Sequence, residues 1–277
     1  MIYCFDTSAL NELHDDVEAA AITAGRLATT EVRITALNVI ETASTRDSVR
    51  RISLLQLQKR LAGNQRPLQI PNLLIRSLAI AYAGHLESGN LSIGSNEEGI
   101  WIALDSPECI DEDSRQELYN WSRTLENDFC ETDQNARPHF QQLFTYEERR
   151  PRNAASLLRL YAKSSDFLFE ITADAYEQTT GAKLRKEELF SFFRTVPHWP
   201  MFFLGWGYSV YSRAIQREKF GRKNAGGIDL WCAAYLPCCD VFVTSDRPQY
   251  KALRLINTFN ERKTEVLPYS RWRVRFC

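Results

Sequence analysis

The chain has 277 residues, 44% of them hydrophobic and 25% charged, and a formal net charge of -1. Those are ordinary values for a soluble globular protein, long enough for one large domain or for a core domain with a sizeable insertion. They exclude a chain that holds nucleic acid through uniform basic charge. Ile2 to Phe5 reads as a first strand, followed by Asp6, Thr7 and Ser8 and a helix that either Asp6 or Thr7 caps. Glu31 to Thr35 alternates and reads as a second strand, and Leu37 to Thr45 as a helix carrying Glu41 one turn in. Helices follow over Val49 to Leu61 and, beyond a break at Pro67 and Pro71, over Asn72 to Leu86. Helical patterns then fill Asp111 to Phe129, Arg137 to Arg149, Ala154 to Gln178, Lys186 to Phe193 and Phe202 to Phe220, with almost no strand signal. Near the C-terminus Asp229 opens a short helix. Val241 to Thr244 is an apolar, β-branched run that reads as a strand ending just before Asp246, and Thr264 to Tyr269 is a last strand.

Strand–helix alternation at both ends with a helical middle predicts an α/β fold: a three-layer α/β/α domain with a central, mostly parallel sheet and a large all-helical insertion. The divisions are 1-95 for the N-terminal part of the sheet domain, 96-221 for the insertion and 222-277 for the C-terminal part. Neither end supplies enough strands alone, so both must enter one sheet.

Four carboxylates then hold comparable positions. Asp6 follows the first strand, Glu41 lies in the helix after the second, Asp229 opens the late helix, and Asp246 follows its strand. In a parallel sheet all four fall at the C-terminal edge, where open α/β sheets bind ligands. Each has a structural reading as well. Asp6 and Asp246 suit helix caps, Asn38 and Glu41 have the spacing of a capping box, and Asp229 suits a helix first turn. Together they repel, by about 4 kcal/mol per pair at 4 Å in an effective dielectric near 20. Hard divalent cations such as Mg²⁺ or Mn²⁺ answer that repulsion and serve phosphodiester hydrolysis. A second aspartate two residues after Asp6, which an aspartyl-phosphatase site needs, is replaced by Ser8, and no glycine-rich phosphate loop is present.

The segments FDTSAL at 5–10, NVIETA at 38–43, GIDLWCAA at 227–234 and VFVTSD at 241–246 resemble the motifs of PIN-domain nucleases, a family that includes the toxin ribonucleases of bacterial toxin–antitoxin pairs. The resemblance covers roughly residues 1 to 90 and 222 to 270. It implies that Asp6, Glu41, Asp229 and Asp246 are the catalytic and metal-binding acids, with Ser8 and Thr244 orienting them from behind. The long separation of Glu41 and Asp229 departs from compact members.

Charge is unevenly spread. Residues 97–133 hold twelve acids against two arginines, and residues 213–277 hold thirteen Lys and Arg against six acids. Arg217, Arg222, Lys223, Arg247 and Lys251 flank the late acids and are expected to hold a nucleic-acid backbone. Trp199, Phe202, Phe203, Trp206, Tyr208 and Tyr211 read as core of the insertion. Seven cysteines form no CxxC pair and the four histidines lack ligand spacing. Reduced thiols, no zinc and a cytoplasmic location without a membrane partner are therefore expected. The expectation is a Mg²⁺- or Mn²⁺-dependent endoribonuclease acting on single-stranded RNA, with a toxin role, an inhibitor (antitoxin) partner and a homodimer as further expectations. The alternatives are a non-catalytic interaction protein that uses its helical insertion, and a DNA-directed nuclease with the same centre.

Overall fold

A computed structural model describes residues 1–19, 30–84, 93–95, 97–143, 156–158, 165–214 and 227–276. The elements used below are β1 Ile2–Phe5, α1 Thr7–Asp15, β2 Glu31–Arg33, α2 Ala36–Ala43, α3 Ser48–Ala62, α4 Pro71–Ala83, α5 Glu98–Asp105, α6 Glu112–Leu143, α7 Ser165–Thr180 and α8 Leu189–Thr195. After them come α9 His198–Ala214, α10 Gly227–Trp231, β3 Val241–Thr244, α11 Arg247–Ile256, β4 Glu265–Pro268 and α12 Tyr269–Phe276.

The fold is α/β, and among the described residues the strands form a four-stranded sheet in the order β2-β1-β3-β4, parallel throughout. Its centre joins the two ends of the chain: Tyr3, Cys4 and Phe5 lie opposite Val241, Phe242 and Val243. All four residues of β3 are buried, as an apolar run covered on both faces requires. Phe5 meets Trp272 of α12 edge-on at 5.1 Å. Its neighbour Cys4 points to the other face, where it meets Cys239. The six described cysteines are free thiols.

Local chemistry starts the helices where the sequence places them. Asp6 caps α1, Asp47 caps α3, Pro71 opens α4, and Asp246 caps α11. The second strand is shorter than the alternation predicted. Thr35 leaves it to bridge Leu68 and to cap α2. The capping box is also not the predicted Asn38–Glu41 pair. Thr35 Oγ1 accepts from the Asn38 N–H at 3.1 Å, and Asn38 Oδ1 accepts from the Thr35 N–H at 2.9 Å, which leaves Glu41 free of any capping duty. The predicted break between Phe129 and Arg137 is absent, and one helix, α6, runs through with Pro138 inside it. The polar residues there stay helical by local bonding: Thr132 donates to the Asp128 carbonyl, and Arg137 pairs with the buried Asp133 at 2.7 Å.

The described helices of the middle share one apolar core with the sheet. Trp199, Phe202, Phe203 and Tyr211 are buried and Trp206 and Tyr208 partly so, in line with the sequence reading. Rings run in contact from Tyr82 and Tyr176 through Phe192, Trp199, Phe203 and Phe202 to Trp231, which also meets Phe129 of α6 at 5.3 Å. Two glycines permit this closeness. A Cβ on Gly205 of α9 would overlap the Leu230 carbonyl, and one on Gly227 would overlap the Phe129 ring. Among the described residues no helix is long and apolar enough to cross a membrane.

Candidate functional site

Asp6, Glu41, Asp229 and Asp246 all line one cleft of about 140 Å³ at the C-terminal edge of the sheet. Four separate elements deliver them. Asp6 ends β1, and its N–H donates to the Val243 carbonyl at 3.0 Å, so the ends of β1 and β3 are tied together. Asp246 sits two residues past β3, Glu41 lies on α2, and Asp229 lies in the first turn of α10. Phe5, Phe242, Tyr235 and Cys232 complete an apolar floor, and among the described lining residues there is no Lys, Arg or His.

Two of the acids take the helix-cap roles that their positions suggested, with their side chains still lining the cleft. Asp6 Oδ1 caps α1 by accepting from the Ala9 N–H at 2.8 Å, while Oδ2 lies 2.7 Å from Thr244 Oγ1 and Ser8 Oγ lies 2.9 Å from both oxygens. Asp246 Oδ1 caps α11 by accepting from the Gln249 N–H at 2.6 Å. Ser8 also accepts from the Ser245 N–H at 2.9 Å, linking the loops after β1 and β3. Ser8 and Thr244 thus both bond to Asp6.

Two further residues were missed. Thr7 accepts from Asn38 Nδ2 at 3.1 Å, and its hydroxyl stands beside the Glu41 carboxylate and favours its charged form, so the α2 capping box reaches Glu41 through Thr7. Gln249 donates from Nε2 to the Asp229 carbonyl at 3.1 Å and turns Oε1 to Thr244 at 2.6 Å. Gln249 stands three residues after the Asp246 cap, a spacing that reads as an ordinary capping box, and Thr7 reads as an alternative cap of the first helix. Their signal in the sequence was therefore local.

The Thr244 hydroxyl, fully buried, has one proton to give. Within reach are Asp6 Oδ2 and Gln249 Oε1, and the Asp229 carbonyl holds the Gln249 amide in that orientation. One proton therefore serves two acceptors unless Asp6 carries a proton of its own. Electrostatics point the same way. Loss of hydration, with the charge of Asp229 added, pushes Asp6 up to about 6 against the bonds from Thr244, Ala9 and Ser8. Glu41 is pushed up to about 7, first by lost hydration and then by Asp229, Asp6 and Glu126, with the Thr7 bond opposing. Glu41 still exposes surface at the cleft mouth, so its shift carries less energy than a sealed carboxyl would. Burial and the neighbouring acids hold the Cys232 thiol well above its usual range, which keeps it protonated.

The donor set is oxygen-only and acidic, which fits a hard divalent cation and not zinc. Among the described residues, however, no group of three or more His, Cys, Asp or Glu is placed to hold a metal ion. Asp6 and Asp246 are turned onto their own hydroxyl and amide partners. Arg247 and Lys251 stand exposed on α11, next to Asp246. Arg217, Arg222 and Lys223 lie outside the described residues. No protein-family model, curated protein or solved structure matches the chain.

Proposed function

We propose that this chain is a metal-dependent endoribonuclease of PIN type, using a Mg²⁺ or Mn²⁺ ion to hydrolyse phosphodiester bonds of single-stranded RNA. The observation that carries this reading is the convergence of Asp6, Glu41, Asp229 and Asp246, from both ends of the chain, on one cleft at the edge of a parallel sheet. The order of the four motifs, which resembles that family, supports it. A toxin role with an inhibitor protein follows from the same resemblance.

Asp6, Glu41, Asp229 and Asp246 would hold the ion, which when bound supplies charge neutralisation and Lewis-acid activation of water for in-line attack at phosphorus. Ser8 and Thr244 fix Asp6 by bonding to it, and Thr7 steadies Glu41 from beside it. The apolar floor keeps bulk water from the back of the cleft. Arg247 and Lys251 hold the flanking phosphates. Cation binding must displace protons from Asp6 and Glu41, so affinity for Mn²⁺ falls below about pH 6 to 7.

The test is cleavage of single-stranded RNA by the purified chain with Mn²⁺, beside Asp6→Asn. Loss of about a hundredfold or more in the variant is expected. Equal cutting by both proteins, or none by the parent on any RNA, sinks the enzyme reading. Among the described residues no three acids stand ready to hold an ion, which favours one second reading, a non-catalytic interaction protein. That reading requires no Mn²⁺-induced rise in melting temperature.

A further inference from the structure

A second cleft opens from the acidic one, between α2, α6 and α10, and shares Leu37, Glu41, Ile228 and Asp229 with it. It is the larger of the two, at about 250 Å³. Its remaining walls are Ile40, Leu125 and Phe129, with Ser122, Glu126 and Cys130 among them. An apolar slot with a few polar groups suits a planar group that is apolar on its faces and hydrogen-bonding at its edge.

Charge decides which part of a nucleotide enters. From Glu117 to Asp133, α6 carries five acids and one arginine, so a phosphate is repelled there. Among the described residues, the exposed cations Arg247 and Lys251, which follow Asp246, lie on α11. A strand whose phosphodiester sits at the acidic cleft therefore runs its backbone past α11 and turns a base toward α6. Within the slot Glu126 only accepts hydrogen bonds. Arg123 engages its Oε2 at 2.5 Å, an exposed and therefore weak pair, and Oε1 is left for a ligand.

We propose that this slot is a base-binding subsite for the nucleotide next to the cleaved phosphate, and that Glu126 selects a base bearing an exocyclic amine over uracil. The inference rests on the nuclease reading above and names its substrate preference. Cytosine, adenine and guanine offer an amine N–H to a carboxylate, whereas uracil's one donor on that edge, N3–H, lies between two carbonyl oxygens that repel the carboxylate.

The experiment uses the full chain with Mn²⁺ on two substrates: a mixed-sequence single-stranded RNA with mapped cut sites, and bis(4-nitrophenyl) phosphate, a diester without a base. Cuts beside amine-bearing bases should outnumber those beside uracil by about tenfold. Glu126→Gln should erase that bias. Ser122→Trp, which fills the slot, should lower the ratio of RNA to diester turnover by a similar factor. In EDTA, cytidine monophosphate should slow alkylation of the half-buried Cys130, ribose 5-phosphate should not, and exposed Cys109 should serve as control. Unbiased cut sites, a bias that survives Glu126→Gln, or no protection of Cys130, with diester turnover intact, overturn the subsite and leave the nuclease standing. Turnover of neither substrate removes the nuclease reading and the subsite with it.

Discussion

The acidic cleft and the aromatic layer behind it meet at α10, where Asp229 faces one and Trp231, two residues on, is packed in the other. In the aromatic layer every contact is favourable at once. Rings from five helices touch at centroid distances of 4.9 to 5.4 Å along most of the run, each pair adding about 0.5–1.5 kcal/mol beyond its buried area. In the cleft the contacts compete. Two carboxyls are held away from their preferred charge, and one hydroxyl proton faces two acceptors. The difference teaches where stability is made and where it is given up. The helical middle supplies apolar burial that lets the sheet edge keep a cluster of acids that bare folding would disfavour.

The comparison breaks most sharply if the two regions are pried apart. Gly227→Ala drives a methyl into the Phe129 ring, and Gly205→Ala drives one into the Leu230 carbonyl. Each should cost about 1–3 kcal/mol or more, with a melting temperature lower by several degrees in calorimetry, and activity should fall with it because α10 carries Asp229. Unchanged melting in both variants would mean that the middle does not brace the site.

A milder change sharpens the cleft side alone. Thr7→Val removes the hydroxyl between Asn38 and Glu41 with little change in volume. RNA cleavage should drop about 10- to 100-fold, with Mn²⁺ affinity reduced and Thr7→Ser restoring most of both. A drop in stability without loss of Mn²⁺ affinity would assign Thr7 to packing.

The competing contacts in the cleft predict an opposite sign for Asp6→Asn. Asparagine still caps α1, and its amide can donate to Thr244, which frees the Thr244 proton for Gln249. Metal-free melting at pH 8 should rise by about 2–5 °C. The parent's own pH dependence follows from carboxyls raised to about 6 and about 7 from their ordinary values of 3.8 and 4.5. Both groups bind protons more tightly folded than unfolded. Their contribution is fully present below about pH 4 and is lost as pH rises through 6 and 7. Melting in EDTA across pH 4 to 8 should show this slope in the parent and a shallower one in Asp6→Asn. A variant that melts lower at pH 8 would show that the cleft is not crowded. The smallest effect belongs to the rim. Arg247→Ala and Lys251→Ala should each weaken RNA binding uniformly across sequences and reduce the salt slope by about one, as read from binding at several ionic strengths.

Much of this architecture is legible along the chain, because strands, caps and helix starts depend on near neighbours. An apolar β-branched run gives β3, Asp6 and Asp246 start α1 and α11 through bonds three residues on, and the four acids stand at predictable places after strands or within the first two turns of a helix. The same locality misled at Glu41, whose spacing from Asn38 suggested a capping pair until Thr35 took that role, and in α6, where a polar stretch looked like a break. Only the tertiary structure decided that β1 lies against β3, since pairing strands more than 230 residues apart is settled by total burial and not by any local preference. That pairing brings the acids to one cleft, gives Thr7 and Gln249 their partners, and opens the slot beside α6, none of which neighbouring residues alone can specify.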